Sequence, residues 1–224
     1  VLTKYIFNKA KHFLAFEIDK RVIEELQEKF STPNTEFFLQ DFLEADLLSI
    51  RKKYSSLLRI VGNIPYNITS PILFKLFDEE ENTIHDATIM MQHDVAKRLI
   101  AQPKTKEYGI LSVFTQHYCN VKLLFTVSPS CFYPKPNVTS AVVQLQFKQK
   151  AKDALDEKIF RTTVKTAFGK RRKMLRNALQ YLPYDETQVK NFLLNTTHKL
   201  DVRPEELSIN DFISLSNELK YFLS

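Results

Sequence analysis

Leu57-Leu58-Arg59-Ile60-Val61-Gly62-Asn63-Ile64-Pro65-Tyr66-Asn67-Ile68-Thr69-Ser70-Pro71-Ile72-Leu73-Phe74-Lys75-Leu76-Phe77 passes from an apolar run through a polar turn into a helical pattern. Strand, turn and helix in that order are the unit of α/β proteins, which display their chemistry at the carboxyl ends of their strands. Gly62 allows close backbone approach, and Pro65 fixes φ and has no N–H. Ser70 before Pro71 reads as an N-cap followed by proline at the first helical position. The loop is therefore rigid. It offers the side-chain carbonyl of Asn63, main-chain carbonyls around Ile64 and Pro65, and the flat face of Tyr66. Together these suit an exocyclic amine on a planar base.

An adenine N6 amine is a poor nucleophile because its lone pair is delocalised into the ring. Two acceptors aimed at its hydrogens favour a pyramidal nitrogen, and a stacked aromatic keeps the base in place. The remaining acceleration comes from holding the nitrogen in line with an activated methyl group. Such a site needs neither a general base nor a metal.

The tetrapeptide Asn63-Ile64-Pro65-Tyr66 resembles the (N/D/S)-(P/I/L)-P-(Y/F/W) motif of adenine-N6 methyltransferases, in the form typical of the rRNA adenine dimethylases.

Composition sets the frame for that resemblance. The chain has 224 residues, of which 44% are hydrophobic, enough for one large domain or one of ordinary size with an appendage. With 32 Lys+Arg against 26 Asp+Glu the net charge is +6, a basic balance compatible with a nucleic-acid partner. Cys119 and Cys131 have neither metal-ligand spacing nor a secreted framework, and are expected to be buried free thiols in a reducing compartment. No run reaches the roughly 18 apolar residues of a membrane span, and no signal pattern opens the chain, so a cytoplasmic protein is expected.

Upstream of the central loop, Leu2 to Ala10 has helical spacing and His12 to Asp19 reads as a short strand ending in acids. Glu17 is either a solvated strand end or an acceptor for the ribose hydroxyls of a nucleotide cofactor. Arg21 to Phe30 is an amphipathic helix, and Thr35 to Gln40 a strand followed by Asp41-Phe42-Leu43. Asp41 either caps the next turn or belongs to a site. Glu44 and Asp46 read as surface acids.

Downstream, Asp78 to Glu81 is an acidic connection, His85 to Met91 a buried strand, and Asp94 to Ala101 a helix. His85 and His93 lack the spacing of a catalytic or metal pair. Lys104 to Gly109 reads as a mobile basic loop, and Leu111 to Tyr118 as a helix. Residues 120–127 and 140–147 read as two apolar strands, which the resemblance to methyltransferases implies are the antiparallel pair that ends the sheet. Between them, Phe132-Tyr133-Pro134-Lys135-Pro136-Asn137-Val138-Thr139-Ser140 is held extended by its prolines. Phe132 is thus either a core aromatic or one presented to a ligand.

From Asp153 the pattern turns helical: Leu155 to Phe168, Lys170 to Leu182, Glu186 to Leu194 and Ser208 to Leu223, the last with a cap-like Ser208 and Asp211. Lys170-Arg171-Arg172-Lys173 and Arg176 concentrate positive charge, which is either a solvated helix start or a phosphate-contacting surface.

Several of these segments together resemble the KsgA/Dim family of small-subunit rRNA adenine N6,N6-dimethyltransferases, over nearly the whole chain. Phe16-Glu17-Ile18-Asp19 resembles the Val-Glu-Ile-Asp motif of S-adenosylmethionine-dependent methyltransferases. Leu2-Thr3 resembles the residues following their glycine loop. The 132–140 segment resembles Phe-x-Pro-x-Pro-x-Val-x-Ser, and Ala167 to Asn177 the Ala-Phe-x-x-Arg-Arg-Lys-x-Leu-x-Asn signature.

The resemblance implies an α/β fold, a Rossmann-like class I methyltransferase sheet with a small C-terminal all-helical domain. It places a methyltransferase domain at 1–150, its first strand and glycine loop lying upstream, and a helical RNA-binding domain at 151–224. S-adenosyl-L-methionine is the implied cofactor, bound by Glu17, Ile18, Asp41, Phe42 and Asn63. The implied catalytic residues are Asn63, Ile64, Pro65, Tyr66 and Phe132, with Phe132 covering the base opposite Tyr66. Lys170, Arg171, Arg172, Lys173 and Arg176 are the implied RNA contacts. No metal is implied. The implied substrate is a pair of adjacent adenosines in a hairpin loop near the 3′ end of 16S rRNA, within a 30S subunit precursor, and the implied protein is a monomer. Erythromycin-resistance methylases, a non-catalytic nucleic-acid binder of the same fold and a nicotinamide dehydrogenase using Glu17 remain as alternatives.

Overall fold

Strand β1 (Phe13–Glu17) pairs in parallel with β2 (Thr35–Leu39), and β3 (Leu58–Asn63) pairs in parallel with β4 (Ile84–Gln92). The computed structural model that establishes this pairing describes residues 2–148, 154–170 and 172–223. Parallel neighbours need crossovers. Helix α1 (Thr3–Ile6) precedes β1, and α2 (Lys20–Phe30) connects it to β2. Asp19 starts α2 by accepting from the Arg21 N–H at 2.9 Å. The crossover from β2 to β3 contains α3 (Leu47–Tyr54), and that from β3 to β4 contains α4 (Thr69–Asp78).

After α5 (His93–Leu99) and α6 (Ile110–Tyr118), β5 (Cys119–Val127) and β6 (Ser140–Phe147) form the antiparallel pair that the methyltransferase resemblance implies. The sheet order is β3-β4-β6-β5. Among the described residues no ladder joins β1 and β2 to this sheet. Gln92 and Val127 both pair with Ser140, so the start of β6 lies at the carboxyl ends of β4 and β5.

Helices α7 (Glu157–Gly169), α8 (Leu175–Leu179), α9 (Glu186–Asn195) and α10 (Ile209–Phe222) complete the chain. Ser208 and Asp211 cap α10 reciprocally, with the Ser208 N–H donating to Asp211 at 2.8 Å. One buried cluster runs from the sheet into these helices and includes Leu73, Met91, Phe114, Phe160 and Phe212. At the same junction Glu157 accepts from the Tyr118 hydroxyl at 2.6 Å, and Arg161 reaches Tyr118 at 2.8 Å, the Phe77 carbonyl and Asp78. Burial, then the Glu157 hydrogen bond, pushes the Tyr118 phenol up.

Five features depart from the sequence reading. Helix α4 starts at Thr69, because a 3-10 turn at Tyr66–Ile68 runs straight into it. Ser70 is therefore inside the first turn and caps nothing, and Pro71 is tolerated there because first-turn N–H groups lack helical acceptors. Helix α3 occupies a stretch to which the sequence reading assigns no element. Asp46, read as a surface acid, caps it by accepting from the Ser49 hydroxyl at 2.6 Å and N–H at 2.9 Å, which holds its carboxyl below the usual range. The 104–109 loop is pinned: the buried Tyr108 donates to the Leu207 carbonyl at 2.9 Å and the Lys104 N–H to Glu205 at 2.7 Å. The helix expected from Lys170 contracts to α8, whose first N–H groups, those of Leu175 and Arg176, donate to the Val202 and Leu200 carbonyls. Finally, Cys119 is buried, its thiol pushed up by burial, but Cys131 is exposed beside Phe132.

Asp86 on β4 is buried and receives Arg59 of β3 through Nη2 at 2.5 Å and Nε at 3.1 Å, with His85 Nδ1 at 3.1 Å. Burial opposes the charge, yet the Arg59 and His85 hydrogen bonds outweigh it, so the carboxyl titrates below the ordinary aspartate range. A depressed native value contributes stability above the unfolded pKa that is lost as pH falls through the native one. Arg59→Met leaves the carboxylate without its main partner and should destabilise the fold at pH 7 by about 1–3 kcal/mol. The deficit should shrink below about pH 4, where the carboxyl accepts a proton. Urea unfolding at both pH values checks this; an equal deficit at both would assign Arg59 a packing role only.

Candidate active site

Asn63 is the last residue of β3 and is exposed at the carboxyl edge. Its side chain makes no hydrogen bond among the described residues. Gly62 beside it serves the turn sterically, since an added Cβ would lie 3.0 Å from Ile64 Cγ2. Pro65 sits at φ −57° and ψ 138°, and its carbonyl accepts from the Ile68 N–H at 3.2 Å. The Tyr66 carbonyl accepts from the Thr69 N–H. Of the two backbone acceptors expected here, the Pro65 carbonyl is thus spent on the turn. The Ile64 carbonyl makes no hydrogen bond among the described residues, so it and Asn63 Oδ1 are available as acceptors.

Tyr66 is half-buried, and its hydroxyl is 2.5 Å from Ser140 Oγ. Ser140 is fully buried where β6 begins, so this bond ties the turn after β3 to the base of the β5–β6 connection. Phe132 lies on that connection, half-buried and extended at φ −120° and ψ 150°, its N–H donating to the Pro129 carbonyl at 3.2 Å. The tyrosine and Phe132 therefore belong to segments joined through Ser140. Among the described residues no direct ring contact links them, so neither face is consumed by the other.

The expected cofactor residues occupy the ends of neighbouring strands. Glu17 ends β1, and one carboxylate oxygen accepts from the Ile18 N–H at 2.8 Å and the Asp19 N–H at 3.1 Å. Its other oxygen is open among the described residues. Ile18, next to it, is 73% exposed. Asp41 does cap the turn after β2, with Oδ1 accepting from the Leu43 N–H at 2.9 Å, while Oδ2 is left open. Phe42 packs edge-on to Phe16 at 5.7 Å between centroids and remains partly exposed. Two open carboxylate oxygens with two apolar side chains at one sheet edge fit a nucleoside: hydroxyls and an amine to the acids, a base face to the hydrocarbon.

Two participants were not legible in the sequence. Ser140 was quoted only as part of a motif, and nothing local announces that it meets Tyr66. Lys75 on α4 is largely buried and donates to the Ala45 carbonyl at 2.7 Å, with Glu79 at 3.4 Å. It fastens the loop that carries Asp41 and Phe42 to the helix that follows Tyr66.

The basic cluster is more divided than expected. Lys170 ends α7, and Arg172 and Lys173 are exposed on the turn before α8. Arg176 is partly committed inside the helical segment, donating to the Leu193 carbonyl at 2.9 Å with Asp201 at 3.8 Å. Arg171 lies outside the described residues. Among the described residues no group of three or more His, Cys, Asp or Glu could hold a metal ion, and no helix is long and apolar enough to cross a membrane.

Comparison with known proteins bears on the chain as a whole. Residues 1–220 match the family model described as ribosomal RNA adenine dimethylase. The chain is 43% identical over 219 residues to the ribosomal RNA small subunit methyltransferase A of Chlorobium phaeobacteroides, covering 98% of this chain and 79% of that protein. It is 39% identical to the protein of the same name from Mycoplasma mobile, covering 97% and 83%. Among solved structures, a dimethyladenosine transferase from Plasmodium falciparum superposes with a TM-score of 0.79 at 24% identity, covering 99% of this chain and 86% of that one. The 23S rRNA methyltransferase ErmE superposes at 0.65 with 25% identity, covering 98% and 86%.

Proposed function

The chain belongs to the ribosomal RNA adenine dimethylase family, and from that premise we propose that it dimethylates the N6 amines of adenines in small-subunit ribosomal RNA at the turn after β3. The observation that carries the reading is the pair of unspent acceptors, Asn63 Oδ1 and the Ile64 carbonyl, on a rigid turn next to a tyrosine anchored at its hydroxyl.

S-adenosyl-L-methionine, when bound, supplies a methyl group on a sulfonium centre. Glu17 would hold its ribose hydroxyls through the open oxygen, Asp41 its adenine amine, and Ile18 and Phe42 would cover its base. Asn63 and the Ile64 carbonyl accept the two hydrogens of the target amine, which draws its lone pair out of conjugation and toward the methyl carbon. Tyr66 and Phe132 hold the target base from either side, and Pro65 keeps the turn from relaxing. Once methylated the nitrogen is cationic and releases its proton to solvent, so no side chain is needed as a base. The demethylated thioether would leave and a second cofactor molecule would supply the second methyl group to the same nitrogen, which then presents one N–H to the two acceptors.

Residues 1–150 act in this reading as the catalytic part and 151–224 as an RNA-binding part. The substrate is a pair of adjacent adenosines in a hairpin loop near the 3′ end of 16S rRNA, in a 30S precursor. Loop bases can be splayed out cheaply, which suits enzymes that must take a base from its stack. The protein works as a cytoplasmic monomer.

Incubating the full-length protein with labelled S-adenosylmethionine and separated unmodified subunits tests this. Label should enter the small-subunit RNA. Label confined to the large subunit would move the chain to the activity named for ErmE, and none in either would overturn the reading. The exposed cations make a second expectation: Lys170, Arg172 and Lys173 all replaced by Ala should lower the slope of log affinity against log salt by about 2. An unchanged slope would leave that turn merely solvated.

A further inference from the structure

We infer that Tyr181, with Lys170 and Lys173, forms a second nucleotide-binding site on the helical segment, taking one unpaired RNA base on the tyrosine ring and its phosphates on the two lysines. The inference deepens the RNA-binding reading of the basic turn and rests on it.

Tyr181 follows α8 and is 56% exposed. Its hydroxyl makes no hydrogen bond among the described residues, so no polar tether fixes the ring. The Lys170 and Lys173 ammonium groups lie 4.9 and 5.6 Å from its ring centroid. The turn that brings them together is closed by the Lys173 N–H donating to the Lys170 carbonyl at 2.7 Å. Arg172, exposed on the same turn, adds to the positive potential.

An exposed ammonium gains little from an aromatic face, whereas a phosphate gives it a charge-assisted hydrogen bond. RNA would draw both lysines off the ring and uncover a stacking surface at the moment their charges are neutralised. Base stacking on an aromatic with flanking cations is the general means of holding single strands. A duplex offers no free base face, so the site selects unpaired nucleotides over duplex of equal charge.

The test compares binding of the full-length protein to a hairpin RNA with an unpaired loop and to a blunt duplex of equal phosphate number. Tyr181→Ala should weaken hairpin binding about 5- to 10-fold, leave duplex binding unchanged and leave the salt slope unchanged, while Tyr181→Phe should bind as wild type. Lys170→Ala with Lys173→Ala should instead reduce the salt slope on both RNAs. Equal affinities of Tyr181→Ala and wild type for the hairpin, or an equal loss on both RNAs, would overturn the inference. Methyl transfer to small subunits is scored separately, so its failure would count against the catalytic reading and not against this site.

Discussion

Asn63→Ala protein should methylate adenine about 10²–10³-fold more slowly than wild type, the usual consequence of removing one preorganised polar group from a transition state. The loss should fall on kcat. The amine must become pyramidal only as it reacts, so the Asn63 acceptor matters more in the transition state than in the bound ground state. The fold should be indifferent, because Asn63 is exposed and its side chain makes no hydrogen bond among the described residues. Cofactor binding should persist through Glu17, which ends β1, and Asp41, which caps the turn after β2. Single-turnover kinetics with a calorimetric cofactor titration check both parts, and wild-type turnover in the variant would remove Asn63 from the chemistry.

The second large effect belongs to the two rings. Tyr66→Ala and Phe132→Ala should each cost about 1–3 kcal/mol in kcat/KM, the value of one base-stacking face. If both rings grip one base, the double variant should lose less than the sum, because a base already freed on one side gains little from the other. Tyr66→Phe keeps the stacking face and gives up only the 2.5 Å bond to Ser140 Oγ, so it should cost about 1 kcal/mol. Strict additivity of the two ring variants would mean that they act on different parts of the RNA.

The elements that depend on local pattern were legible in the sequence. Alternation in β4, which buries Ala87, Ile89 and Met91, and the helical stripe Ile72, Leu73, Leu76 and Phe77 on α4 predict both elements and their packing. The Asn63 to Tyr66 turn was readable for the same reason, its rigidity being set by Pro65 itself. What the sequence did not yield depends on partners distant along the chain. Tyr66 meets Ser140 across 74 positions, and Tyr108 meets Leu207 across 99. The second contact turns an expected mobile basic loop into a fixed strut. Helix α3 was missed for a different reason: its Asp46 cap was visible, but acids flanking a short apolar run read equally well as surface. The basic turn was taken for helix because Lys and Arg are good helix formers. The Val202 and Leu200 carbonyls, remote in sequence, decide where α8 begins.

The most direct measurement is nucleoside mass spectrometry of small-subunit RNA after incubation with full-length protein and S-adenosylmethionine, run beside Asn63→Ala. The account predicts N6,N6-dimethyladenosine at two adjacent loop adenosines with wild type and only traces with the variant. Methylation at another atom or base, or equal yields from the two proteins, would contradict it.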